Sequence, residues 1–271
     1  MTARVPIFLA ALLAAAAILA TRPHLASAQT TQPAQTRPAL AGVDPQVIAL
    51  LDRIEKRSTE VKTLQAHLVF DRTQELLGDK QRRLGTLIYV AGPPARFAAH
   101  FNELRADGRS EKKNRWYIFD GSWLVEKMED QTPKRFSKWQ IVPPGARPEE
   151  ANPLALGGGP FVLPVNMNRK VILDRFTVSL EKPDPAKDPA NSYHLKLIPK
   201  TPQQDVTQVD LWYDKSTLLP VKVSTYEADS GNKSVIVLTD EKTNTPINPK
   251  DIDTSEPTGP GWEVTITPWK K

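Results

Sequence analysis

Three histidines, His67, His100 and His194, are the side chains past the N-terminal stretch best suited to metal binding or to acid-base work near neutral pH. No two fall at a metal-ligand spacing. Each interrupts an alternating run opposite apolar neighbours, which puts it on the solvent side of a strand rather than in a coordination shell. No G-x-S-x-G elbow occurs, and no S-x-x-K box stands in a context that would activate a serine. The run Gly157-Gly158-Gly159 lacks the Lys-Ser/Thr of a phosphate loop and lies between prolines instead of between a strand and a helix. With Cys 0, the chain can hold no disulfide, thiol nucleophile or zinc-thiolate site. A pair of carboxylates that meets only in three dimensions stays open, and with it a secreted hydrolase as an alternative. These residues point to a non-enzyme with no cofactor and no metal.

What remains is the chemistry of burial. Residues 84–128 read as four short antiparallel strands: Leu84 to Val90, a break at Pro93-Pro94, Phe97 to Phe101, then Trp116 to Phe119 and Trp123 to Val125 about the turn dipeptide Asp120-Gly121. Period-two patterning gives such a sheet two unlike faces, and the proline pair marks a bend or an edge. A bent sheet this rich in aromatic residues has a concave side that something must cover.

The covering elements are also legible. Asp44 before Pro45 is an N-cap signal, and Val47, Leu50, Leu51, Ile54 and Val61 recur at helical spacing, predicting an amphipathic helix of about four turns. Leu64, Ala66, Leu68 and Phe70 alternate with polar residues in a first strand that turns at Leu77-Gly78-Asp79. The polar run Glu103 to Arg115 reads as a loop or the polar end of a hairpin; if it has a role, its cations would meet acidic headgroups or an acidic protein surface. Lys134 to Val142 resumes alternation. Six prolines and the run Gly157-Gly158-Gly159 then break up residues 143–165, whose apolar Leu154, Leu156 and Phe161 suit a flap across the open side of the sheet. Val171 to Leu180 ends in a strand, four more strands form a meander from Tyr193 to Val237, and Trp262-Val264-Ile266 adds a last one.

Residues 1–28 carry a positive start at Arg4, 14 apolar residues from Ile7 to Ala20 and the small residues Ala26-Ser27-Ala28, which is the pattern of a cleaved signal peptide; a spanning helix needs roughly 20. Residues 29–42, rich in Pro, Gln, Thr and Ala, read as a disordered leader, and 43–271 as a single domain. Removing Arg4 and Arg22 with the signal lowers the formal charge from +5 to +3. So mild a surplus on an exported chain argues against nucleic acid as a partner.

The order of these elements resembles the periplasmic outer-membrane lipoprotein carriers, the LolA-like family, from about Val47 to Ile266. The likeness rests on Leu50-Leu51-Asp52-Arg53 through Leu68-Val69-Phe70, on Gly85 to Val90 with Pro93 and Phe97, and on Asp120-Gly121-Ser122-Trp123-Leu124. It continues in Asn152-Pro153-Leu154-Ala155-Leu156, Leu195 to Lys200, and Val209-Asp210-Leu211-Trp212-Tyr213-Asp214 with Leu219-Pro220. The resemblance implies a mainly β fold with few helices: an incomplete, half-open antiparallel β-barrel covered by the N-terminal amphipathic helix and a lid segment. It implies a periplasmic monomer that shields lipoprotein acyl chains or other lipid between an inner-membrane donor complex and an outer-membrane acceptor. On this reading Leu64, Leu68, Phe70, Phe97, Phe101, Trp116 and Ile118 line the concavity, and Leu154, Leu156 and Phe161 form the lid. Two departures stand out. The family's Arg before the strand-ending Pro is Gly92 here, with Arg96 the nearest substitute, and Gly157 to Phe161 is an insertion. The alternative on the same fold is a sensor or scaffold that binds a protein partner without carrying lipid.

Overall fold

The computed structural model describes residues 42–145, 163–201, 206–227 and 231–269. Asp44 caps the first helix, α1 (Pro45–Glu60), by accepting the backbone N–H of Gln46 at 2.8 Å, and proline opens it. Val47, Leu50, Leu51 and Ile54 fall on one stripe and are buried. The strands that follow are β1 (Thr63–Gln74), β2 (Asp79–Val90), β3 (Arg96–Ala106), β4 (Arg109–Phe119), β5 (Trp123–Met128) and β6 (Lys134–Gln140). A short helix, α2 (Arg169–Arg175), is capped by Asn168 and leads into β7 (Phe176–Glu181), β8 (Ser192–Pro199), β9 (Gln208–Asp214), β10 (Pro220–Tyr226), β11 (Lys233–Thr243) and β12 (Trp262–Thr267).

The 12 strands of the described residues join one sheet in the order β12-β6-β5-β4-β3-β2-β1-β11-β10-β9-β8-β7. β1 is central. The chain winds outward from it to β6, crosses to the far edge at β7, and winds back until β11 pairs with β1. β12 and β7 are the free edges, so the sheet is an open, antiparallel-dominated half-barrel. Among the described residues only the pair β12–β6 is parallel. A parallel neighbour cannot be reached by a tight turn, and residues 244–261 supply the crossover. Lys138 Nζ donates to the Thr254 carbonyl at 3.0 Å and the Thr254 hydroxyl to Asp120 at 2.7 Å, holding that crossover against the sheet.

The strands run further than their apolar patterning indicates. β3 and β4 continue through the polar residues 103–115, turning at Asp107 (φ 51°) and Gly108 (φ 73°), the two positive-φ positions of a two-residue hairpin. Of the dipeptide Asp120-Gly121 only Gly121 has positive φ (105°), while Asp120 Oδ1 accepts the N–H groups of Ser122 at 2.9 Å and Trp123 at 2.8 Å. The apolar run from Val171 begins as helix and ends in the strand read from Phe176, Val178 and Leu180.

At Gly85 the β2–β3 register shifts, and a Cβ there would overlap the backbone carbonyl of His100. The sheet bends where this glycine lets two backbones approach. Gly85→Ala should therefore destabilise the fold by about 3 kcal/mol, in the range of severe overpacking, read as a lower midpoint in urea unfolding at an unchanged slope.

Candidate functional site

The two faces of the sheet differ in chemistry. On one, Leu64, Ala66, Leu68, Leu87, Tyr89, Phe97, Ala99, Phe101 and Phe119 from β1–β4 form a continuous buried floor with Phe176, Leu195, Leu211, Tyr213 and Val223 from β7–β10. α1 and α2 lie over it, with Ile172 and Leu173 of α2 in the same cluster. Residues 163–167 complete the cover: Leu163, Pro164, Val165 and Met167 are buried and only Asn166 is exposed, with the Val165 N–H turned back onto the Leu163 carbonyl at 2.8 Å. The described part of this face is thus filled by the protein's own side chains.

Of the residues expected to line the concavity, Leu64, Leu68, Phe97 and Phe101 share this floor, and Phe70 lies half-buried at its margin, 6.0 Å from Phe101 between ring centres. Trp116 and Ile118 belong to the opposite face and correct the sequence reading. In β4, Ile118 pairs with Ala98 and Trp116 with His100, whereas Phe119 and Tyr117 pair with the floor residues Phe97 and Ala99. The run Trp116-Tyr117-Ile118-Phe119 is apolar or aromatic at both parities, so alternation could not decide which pair faces in. Leu154, Leu156 and Phe161, the expected lid, lie outside the described residues.

Polar ties run both within the cover and from it to the sheet, among them Lys200 Nζ of the sheet side donating to the Leu173 carbonyl of α2 at 2.6 Å. Arg169 of α2 is paired with Asp52 of α1 at 2.5 Å, the Asn168 amide donates to Glu55 at 3.0 Å, and the Ser58 hydroxyl contacts the Met167 carbonyl at 3.4 Å. From α1 to the sheet side, Arg57 donates to the Thr217 carbonyl at 3.1 Å and Arg53 reaches the Tyr193 hydroxyl at 3.4 Å. One polar tie is buried. The hydroxyl of Tyr213, in the floor, donates to the carbonyl of Pro164 at 3.2 Å. Burial raises the Tyr213 pKa far above the ordinary phenol range, so the hydroxyl stays a donor at any physiological pH.

The other face is polar over β8–β10 and aromatic over β2–β6. His194 lies between two carboxylates, Asp210 at 3.1 Å and Asp188 at 3.4 Å, and stacks on Trp212, whose indole N–H bonds to Asp188 at 2.8 Å. Burial pushes the Asp210 pKa up, but hydrogen bonds from His194 and Gln208 outweigh it and hold the carboxyl below its usual range. His100 stacks on Trp116 at 4.4 Å between centres, and His67 is an exposed partner of Asp240 at 3.3 Å. Among the described residues no group of His, Cys, Asp or Glu is arranged to hold a metal. Between β2–β6 and the crossover lies a groove of about 760 Å³. Trp116, Ile118, Phe136 and Trp262 make its apolar part, with Lys127, Lys134, Glu129, Asp251, Asp253 and Glu256 around them. Periodicity gives no sign of this groove, because the segment that walls it comes from residues 250–258.

No family model matches the chain, and no curated protein matches it. Among solved structures it is similar to an uncharacterized conserved protein from Thermus thermophilus, at TM-score 0.45 and 10% identity, over 81% of this chain and 99% of that one. It is similar to a putative outer membrane lipoprotein-sorting protein domain from Vibrio parahaemolyticus, at TM-score 0.39 and 11% identity, over 76% of this chain and 95% of that one. It is similar also to a LolA superfamily protein from Nitrosomonas europaea, at TM-score 0.31 and 12% identity, over 75% of this chain and 97% of that one.

Proposed function

We propose that the helix-covered face takes up the acyl chains of a lipoprotein or another lipid, and that the protein carries this cargo through the periplasm towards the outer membrane. The observation that carries the reading is the construction of the cover. A broad apolar floor on an open sheet is closed by two helices and a short irregular segment, which meet the floor itself through apolar contact and are tied to one another and to the sheet's rim by hydrogen bonds nearer the surface, with the Tyr213–Pro164 bond as the buried tie among the described residues.

Burying hydrocarbon is worth about 0.8 kcal/mol per methylene, so a long chain would bind an unoccupied floor too tightly to leave. A cover that buries its own leucines and isoleucines there offsets most of that gain. The empty and loaded states then differ little in free energy, and small differential contacts with a donor or an acceptor suffice to move cargo either way. The half-enclosed groove on the opposite face favours one second reading, a scaffold that seats a protein segment and carries no lipid. Native mass spectrometry of the purified protein separates the two, since a carrier retains or takes up acyl cargo and a scaffold does not.

The latch provides a sharper test. In the loaded state Tyr213 loses Pro164 and keeps a buried hydroxyl without its partner, which costs about 1–3 kcal/mol; phenylalanine removes that cost. Tyr213→Phe should bind a fluorescent acyl probe roughly ten-fold more tightly at unchanged stoichiometry, the equivalent of about 1.4 kcal/mol. Equal affinity in a folded variant would count against displacement of this cover. Leu68→Glu, which puts a charge on the floor, should abolish probe binding, with circular dichroism confirming that the sheet persists.

A further inference from the structure

At the end of the apolar floor nearest the β1–β2 and β3–β4 turns, two arginines interrupt it. Arg83 stands between Phe70 on β1 and Leu104 on β3, and Arg115 pairs with Phe101 on one side and Met128 on the other. The rings of Phe70, Phe101 and Tyr117 form the border, at 6.0 Å between the first two and 6.3 Å between the second and third. The side chains of Arg83 and Arg115 are only 10% and 18% exposed. Two guanidinium groups are thus held out of water beside hydrocarbon.

Their compensation is thin. A single carboxylate, Asp130, serves both, at 3.4 Å from Arg83 and 3.2 Å from Arg115. Charge-assisted pairs of this kind normally close to about 2.7–2.9 Å and engage the guanidinium as a fork. The Tyr117 hydroxyl also bonds to Arg115, but it is shared with Glu126, and the buried Nε of Arg115 has no hydrogen-bond partner. Glu126 is not ion-paired with either arginine, although its field is felt at Arg115. Burial, and after it the charge of Arg115, pushes the Arg83 pKa below the usual guanidinium range, with Asp130 opposing. At Arg115 burial acts in the same direction, but Tyr117 and Asp130 together outweigh it and the pKa is raised. Retaining two incompletely bonded cations at the margin of a greasy surface is costly unless a further anion completes them.

We infer that Arg83 and Arg115 receive the anionic group, phosphate or carboxylate, of an amphiphile whose acyl chains lie on the adjoining floor. The inference rests on the acyl-carrier reading and narrows its cargo to chains that end in an oxyanion. Guanidinium forks match such groups through two parallel N–H donors, and the low surrounding polarity strengthens the bond. Phe70, Phe101 and Tyr117 mark the level at which headgroup gives way to hydrocarbon.

The test offers the purified protein vesicles containing phosphatidic acid and diacylglycerol of identical acyl composition, with native mass spectrometry reading the adducts. The wild type is expected to take phosphatidic acid at least ten-fold in preference to diacylglycerol. Arg83→Gln and Arg115→Gln should each cut that preference several-fold while leaving diacylglycerol uptake unchanged, and Arg115→Lys, which keeps charge without the fork, should recover only part of it. Equal uptake of both lipids by the wild type overturns the inference and leaves the carrier reading standing. Uptake of neither overturns both. A preference that survives in both glutamine variants assigns it to other cations and overturns the site. Inorganic phosphate alone should leave no adduct; saturable phosphate binding without lipid would overturn the amphiphile in favour of a free anion. The wild-type comparison needs no variant, so misfolding of a substituted chain does not blunt it.

Discussion

An unclosed sheet with one apolar face cannot stand alone in water, and that constraint organises this protein. A closed barrel would hide its interior through its own ladder, and a sandwich would use a second sheet. Here the twelve strands of the described residues leave one wide hydrophobic surface facing two helices and a short irregular segment. The depth of the floor, the stripe of α1 and the burial of Leu163, Val165 and Met167 are three solutions to the same problem of excluding water. Because the cover is assembled from small pieces, it is also the part of the core that can be exchanged without dismantling strands.

Much of this was legible in the chain. The helical stripe from Val47 to Ile54, its Asp44 cap and the alternation of Leu64, Ala66 and Leu68 against His67 each carry a single period, and each element forms as read. The signal fails where both parities are apolar, as in Trp116 to Phe119, since a strand flanked by clusters on both faces has no polar side to mark its orientation. From Glu103 to Arg115 the sequence leaves a loop and the polar end of a hairpin open, and the structure forms the hairpin, its strand length set by cross-strand partners rather than by burial. The helix α2 was missed since seven residues contain too few turns to establish a period. The second face, with its groove, depends on a crossover whose destination no local pattern encodes.

Polar groups buried under the cover are few, and their placement is uneven. Tyr213 commits its hydroxyl to a carbonyl of the covering segment, which makes closure directional: the segment must sit where that oxygen points. The guanidinium pair at the margin is less completely bonded than the tyrosine. One polar feature therefore specifies the closed arrangement, while the other gives the floor a polarity along its length.

The two outermost strands, β12 and β7, never meet among the described residues. Spreading them apart therefore breaks no rung of the ladder, so the curvature of the sheet is a soft coordinate limited by side-chain packing. A sealed cylinder, by contrast, has a girth fixed by its strand number and stagger.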